Sequence, residues 1–101
     1  MKKKRYQTVI DDLLVAMRDS DVKRPVVATL AGIPYITLDK YLRKERSIST
    51  PSIAQRLVVI TDVLTQLVKD GQLPIPEEIS YNQRSATAME IISSHLTRDR
   101  G

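Results

Sequence analysis

The side chains best suited to chemistry in this chain lie between Lys23 and Arg46, and together they suit recognition of a polyanion that carries base edges. Lys40 can donate to guanine O6 or N7, and the Tyr35 hydroxyl can pair with a base or a phosphate. Ile36 has no polar group and can pack on a thymine methyl. Asp39 either accepts from a cytosine amino group or screens Lys40 or Arg43. Arg43, Lys44 and Arg46 follow and suit phosphate oxygens, contacts that fix register and carry no sequence information. Lys23 and Arg24 stand just before what reads as a helix, whose N-terminus is a natural phosphate site. Lys2, Lys3, Lys4 and Arg5 form a basic arm that either follows a phosphate backbone, enters a minor groove, or remains a solvated tail.

Catalytic chemistry is poorly supplied. The chain has one His and no Cys, so nucleophile–base pairs are scarce and disulfides and Cys-ligated zinc are excluded. His95 has no metal-ligand partner near it in sequence and reads as a surface or packing side chain. Asp11-Asp12 and Glu77-Glu78 are adjacent pairs, and neighbours on a helix point in different directions. The three glycines form no phosphate-cradling loop. The expectation is a protein that is not an enzyme, with no cofactor, no metal and no small-molecule ligand.

Two short amphipathic helices must position the recognition residues. Val27 to Leu42 reads VATLAGIPYITLDKYL, with a turn at Ala31-Gly32-Ile33. Glycine can take the left-handed conformation that such a turn requires. Val27, Leu30, Ile33, Leu38 and Leu42 fall where two crossing helices bury a shared face, with Tyr41 partly among them, and Ala28 is small enough to allow close approach. This is the pattern of a helix-turn-helix, whose second helix enters a major groove and reads bases with its first residues.

The same residues carry a family resemblance. VATLAG…TLDKYL resembles the headpiece of LacI-type repressors, in which Val-Ala-x-x-Ala-Gly-Val-Ser precedes a Thr-Val-Ser-Arg recognition helix. TLDKYLRKE also resembles TetR-type regulators, with Thr-Leu-x-x-Tyr-Phe and Lys-Glu at the helix exit. The likeness covers about a fifth of the chain, or about half if the flanking helices count. It implies the helix-turn-helix superfamily without choosing the family. By the LacI-type pattern, Tyr35, Ile36 and Lys40 match positions that contact bases, and Thr37 matches one that contacts phosphate. Pro34 departs from the pattern, standing where Ser or Thr caps the recognition helix, so that helix starts at Pro34 or Tyr35.

Charge divides as this reading requires. Residues 1–50 hold 11 Lys/Arg and 6 Asp/Glu, a net of +5, and residues 51–101 hold 5 and 6, a net of −1. A basic first half (1–50) suits polyanion binding and the second half (51–101) suits packing or pairing, within one compact domain. The aromatic residues are four Tyr, so the core is expected to be aliphatic. No apolar run is long enough to span a membrane, and MKKKR has no apolar signal-peptide core after it. The expected compartment is the cytoplasm or nucleoid.

The remaining elements follow from periodicity. Val9, Ile10, Leu13, Leu14 and Met17 predict a helix over about 6–19. Ser20-Asp21 breaks it, and Pro25 suits the first turn of the next helix, which runs to about Ala31. The recognition helix is expected to reach Lys44. Ser49 or Thr50 caps a long helix with Pro51 in its first turn and Gly71 past its end. Ile53, Leu57, Ile60, Leu64 and Leu67 form a heptad-like seam, broadened by Val59 and Val63. That surface either meets both the helix-turn-helix and a second subunit, or is one wide core face of a monomer. Leu73-Pro74-Ile75-Pro76 is an extended connector, Glu77 to Tyr81 is at most one helical turn, and Ala86 to Leu96 is a last helix capped by Ser85. Thr97 to Gly101 is expected to fray.

The sequence thus predicts an all-α helix-turn-helix bundle of about five helices. The expected activity is sequence-specific binding to double-stranded DNA as a homodimer on a palindromic operator, by a small repressor of phage, plasmid or bacterial origin. Two other readings stay open: a protein-interaction module that works through the long helix, and an architectural or segregation protein on DNA arrays.

Overall fold

Five helices make up the fold: α1 (Lys2–Ser20), α2 (Arg24–Ala31), α3 (Tyr35–Leu42), α4 (Pro51–Lys69) and α5 (Tyr81–Arg100). The computed structural model describes the backbone of residues 2–76 and 80–100, and the side chains of residues 8–76, 80 and 82–96. The expected all-α architecture holds, with α4 as its centre and no strand among the described residues. α4 packs most extensively on α1 and also touches α2 and α5, while α2 lies against α3 and α5. The radius of gyration is 13.3 Å, the size of a compact domain of about 100 residues.

The core is aliphatic. Leu13, Val27, Leu38, Leu57, Leu64, Leu67 and Ile92 are fully enclosed, each contributing about 1.5–3 kcal/mol by leaving water. Of the α4 seam, Leu57, Ile60, Leu64 and Leu67 are buried, and Val63 with them, while Ile53 and Val59 are half-buried. Most of the apolar surface of α4 is therefore buried inside the chain, between α1, α2 and α5, with Ile53, Val58 and Val59 among its half-buried remainder.

Four of the helices stop in the same way. A residue one or two positions past each end takes a left-handed conformation: Asp21 (φ 56°), Gly32 (φ 71°), Lys44 (φ 64°) and Gly71 (φ 79°). The next N–H then bonds back across the final turn: Val22 to Met17 O at 3.2 Å, Ile33 to Ala28 O at 3.1 Å, Glu45 to Lys40 O at 2.9 Å, and Gln72 to Leu67 O at 2.9 Å. These Schellman closures satisfy carbonyls that a helix end otherwise leaves bare. Gly32 and Gly71 adopt the geometry freely, whereas Asp21 and Lys44 hold it against the cost of a Cβ.

Several boundaries differ from expectation. α1 begins at Lys2 rather than near Tyr6, because Lys and Arg are good helix formers and no breaker precedes Val9. α3 ends at Leu42, two residues short of Lys44, where the left-handed turn intervenes. α5 begins at Tyr81 and runs to Arg100, so residues 97–100 continue the helix instead of fraying. Its cap is Ser80, whose hydroxyl accepts from the Gln83 N–H at 3.4 Å, and Ser85 lies inside the helix. Ser80-x-x-Gln83 is a capping-box spacing. The expectation for Glu77 to Tyr81 falls largely on residues 77–79, outside the described residues.

Candidate nucleic-acid interface

A three-residue turn, Gly32-Ile33-Pro34, joins α2 to α3. Pro34 stands at the N-cap of α3 in an extended conformation (φ −60°, ψ 144°) and offers no side-chain cap. Tyr35 is thus the first helical residue. Leu38 is fully buried and Tyr41 and Leu42 nearly so, which fixes the roll of the helix. With those three inward, the outward side holds Tyr35, Ile36, Lys40 and Arg43.

The turn is braced from α4. Arg56 Nη1 donates to the Ala31 carbonyl at 3.1 Å, at the C-terminal end of α2, where a cation is favoured by the helix dipole. Thr37 is half-buried, one position before Leu38. Val26, Val27 and Ala28 are buried beneath, while Leu30 and Ile33 are half-buried around the turn.

The exposed surface of α3 is mixed in character. Ile36 is 68% exposed and Tyr35 48%, and with Val15 on α1 they are the large hydrophobic side chains left exposed among the described residues. Lys40, one turn after Ile36, is exposed and has no ion-pair partner among the described residues. From Lys23 to Lys44 the cations are Lys23, Arg24, Lys40, Arg43 and Lys44, against the single carboxylate of Asp39.

That carboxylate is shared. Arg24, from the first turn of α2, pairs with Asp39 Oδ1. Arg43 Nε lies 3.1 Å from Oδ2. The Asp39 side chain is only 19% exposed. Of the two roles expected for Asp39, acceptor for cytosine or screen for a neighbouring cation, this geometry matches the screen toward Arg43, and it adds a link to Arg24 across the two helices.

The other sequence-predicted cations are exposed, and most of them are paired. Lys23 is exposed and pairs with Asp21 at 2.8 Å. Arg43 also lies 3.7 Å from Glu45. Lys44 bonds Asp11 of α1 at 2.7 Å, tying the end of α3 to the first helix. Arg46 is exposed just beyond. The side chains of Lys2, Lys3, Lys4 and Arg5 lie outside the described residues, though their backbone is helical.

Two contributors escaped the sequence reading, Arg56 as the brace of the turn and the Arg24–Asp39 link. Neither has a local signal, since the partners are separated by 25 and 15 residues. Among the described residues no group of three or more His, Asp or Glu could hold a metal ion, and no helix is long and apolar enough to cross a membrane. His95 is half-buried on α5. Comparison with known proteins gives no matching family model, no matching curated protein and no matching solved structure.

Proposed function

We propose that this protein binds duplex DNA at specific sites through α2 and α3, as a small helix-turn-helix transcriptional regulator. The carrying observation is the outward side of α3. An exposed isoleucine and tyrosine sit beside Lys40 and Arg43 on a helix anchored by buried Leu38, Tyr41 and Leu42. A partner for this surface must be anionic and must offer apolar and hydrogen-bonding features together, which is what a major groove presents. Tyr35, Ile36 and Lys40 are the base readers in this reading. Lys23, Thr37, Lys44 and Arg46 are its phosphate contacts, together with Arg24 and Arg43, which Asp39 holds.

A homodimer on a palindromic operator fits such a module, with recognition helices in major grooves about 34 Å apart. Half-buried Ile53, Val58 and Val59 on α4 and Met89, Ile91 and Leu96 on α5 supply apolar surface for a second subunit. In this reading the protein represses by covering a promoter. The protein-interaction reading would have to use the same half-buried residues of α4, because the rest of that face is buried.

A mobility-shift titration on DNA flanking the coding sequence, with excess random duplex and at two salt concentrations, tests the proposal. A discrete shift that survives competitor supports it, and a two-fold symmetric footprint supports the dimer. A shift lost to competitor and to modest salt indicates phosphate binding alone and favours the architectural reading. No shift at either salt rejects DNA binding.

A further inference from the structure

We infer that Ile36 makes this protein a reader of the pyrimidine 5-methyl group, so that thymine is preferred to uracil, and 5-methylcytosine to cytosine, opposite the first turn of α3. The inference rests on the duplex-DNA reading above. Ile36 is the most exposed large hydrophobic side chain among the described residues, at 68%, and Tyr35 beside it is half-exposed. A β-branched residue is not a favoured choice for an open helical position, so its presence is not explained by helix propensity.

The setting narrows the partner. Lys40 and Arg43 follow Ile36 at four and seven residues, on the same side of α3. Asp39, the one carboxylate of the segment, is occupied by Arg24 and Arg43. An apolar protein groove would have to desolvate these cations without compensation. A major groove places phosphates beside them and base edges before them. Isoleucine can neither donate nor accept, and at the base edges of that groove the apolar feature is the thymine methyl, the others being donors and acceptors. Cytosine methylated at C5 presents the same group in the same place, which makes binding sensitive to cytosine methylation at that position.

The test starts from the full chain and a randomised duplex library. The enriched duplex is remade with uracil replacing each thymine singly, and with cytosine or 5-methylcytosine at any sensitive position. Ile36 is on the surface, so Ile36→Ala should fold as wild type, which thermal denaturation checks. One sensitive position per half-site is expected, where uracil weakens wild-type binding about four-fold per methyl removed. Ile36→Ala should bind the thymine and uracil duplexes equally there, and 5-methylcytosine should bind wild type more tightly than cytosine. Indifference to uracil at every position, or a uracil effect that persists in Ile36→Ala, overturns the inference while leaving DNA binding intact. Failure to enrich any duplex rejects the DNA reading itself, and this inference with it.

Discussion

Replacing Asp39 with alanine removes the carboxylate that Arg24 and Arg43 share, and its cost can be worked from their exposure. The Arg24 pair joins two helices, with side chains 37% and 19% exposed, and belongs at the upper end for partly solvated ion pairs, about 1 kcal/mol. The Arg43 pair is an i,i+4 contact with a 59% exposed arginine and adds about 0.4 kcal/mol. Asp39→Ala should therefore destabilise the fold by about 1.5 kcal/mol, a fall in Tm of about 6–12 °C for a domain of this size. A double-mutant cycle with Arg24→Ala isolates the inter-helix term, expected at about 1 kcal/mol of coupling. On DNA the two guanidiniums lose their orientation, so affinity should fall by a similar factor across operator variants. The assay is thermal and urea denaturation of the four cycle members, followed by titration against a set of single base-pair variants. Additive single mutants would refute the ion-pair argument. Loss of preference at one base pair alone would show Asp39 to be a reader and not a positioner.

Three other substitutions separate parts of the argument. Gly32→Ala should cost about 1–2 kcal/mol through its left-handed φ, since the added Cβ meets Arg56 Nη1 at an ordinary 3.7 Å. Asn, which tolerates that conformation, should cost less when both are compared by urea denaturation. Lys44→Gly should raise stability by about 0.5 kcal/mol, because relief of the left-handed strain exceeds the loss of an exposed pair with Asp11. The same variant should weaken DNA binding and shrink the slope of log affinity against log salt by about 0.9, so Tm and affinity moving in the same direction would contradict the assignment. Leu38→Ala empties a fully buried site and should cost about 2–5 kcal/mol in chemical denaturation; a cost below 1 kcal/mol would show that Leu38 does not anchor α3.

The parts legible in the sequence were those written in short-range signals. Gly32 between two apolar-periodic segments announced the turn. Pro51 marked the start of α4 and Gly71 its end to within a residue, and Val27, Leu38 and Leu42 gave the buried side of α2 and α3. Helix ends without such punctuation were harder to read. α1 extends to Lys2 on propensity alone, and α3 stops at Leu42 because Lys44 takes a conformation that its residue type disfavours. The start of α5 was readable in Ser80-x-x-Gln83, but Ser85 stood nearer the apolar periodicity and masked it. The division of labour within the site was not legible. Whether Asp39 faces a base or an arginine depends on Arg24, which tertiary packing brings to it from another helix. The turn's brace likewise comes from Arg56 on α4, which the sequence marks only as one more exposed charge on a long helix.

The most direct test of the central claim is an amide-resolved NMR titration of the full chain with a short duplex of the sequence it selects, which maps the surface that meets the DNA. The account predicts that shifts concentrate at Tyr35, Ile36, Lys40 and the following residues to Arg46, with smaller changes at Lys23 and Arg24. Shifts confined to α4 and α5, or none at stoichiometric duplex and low salt, would contradict it.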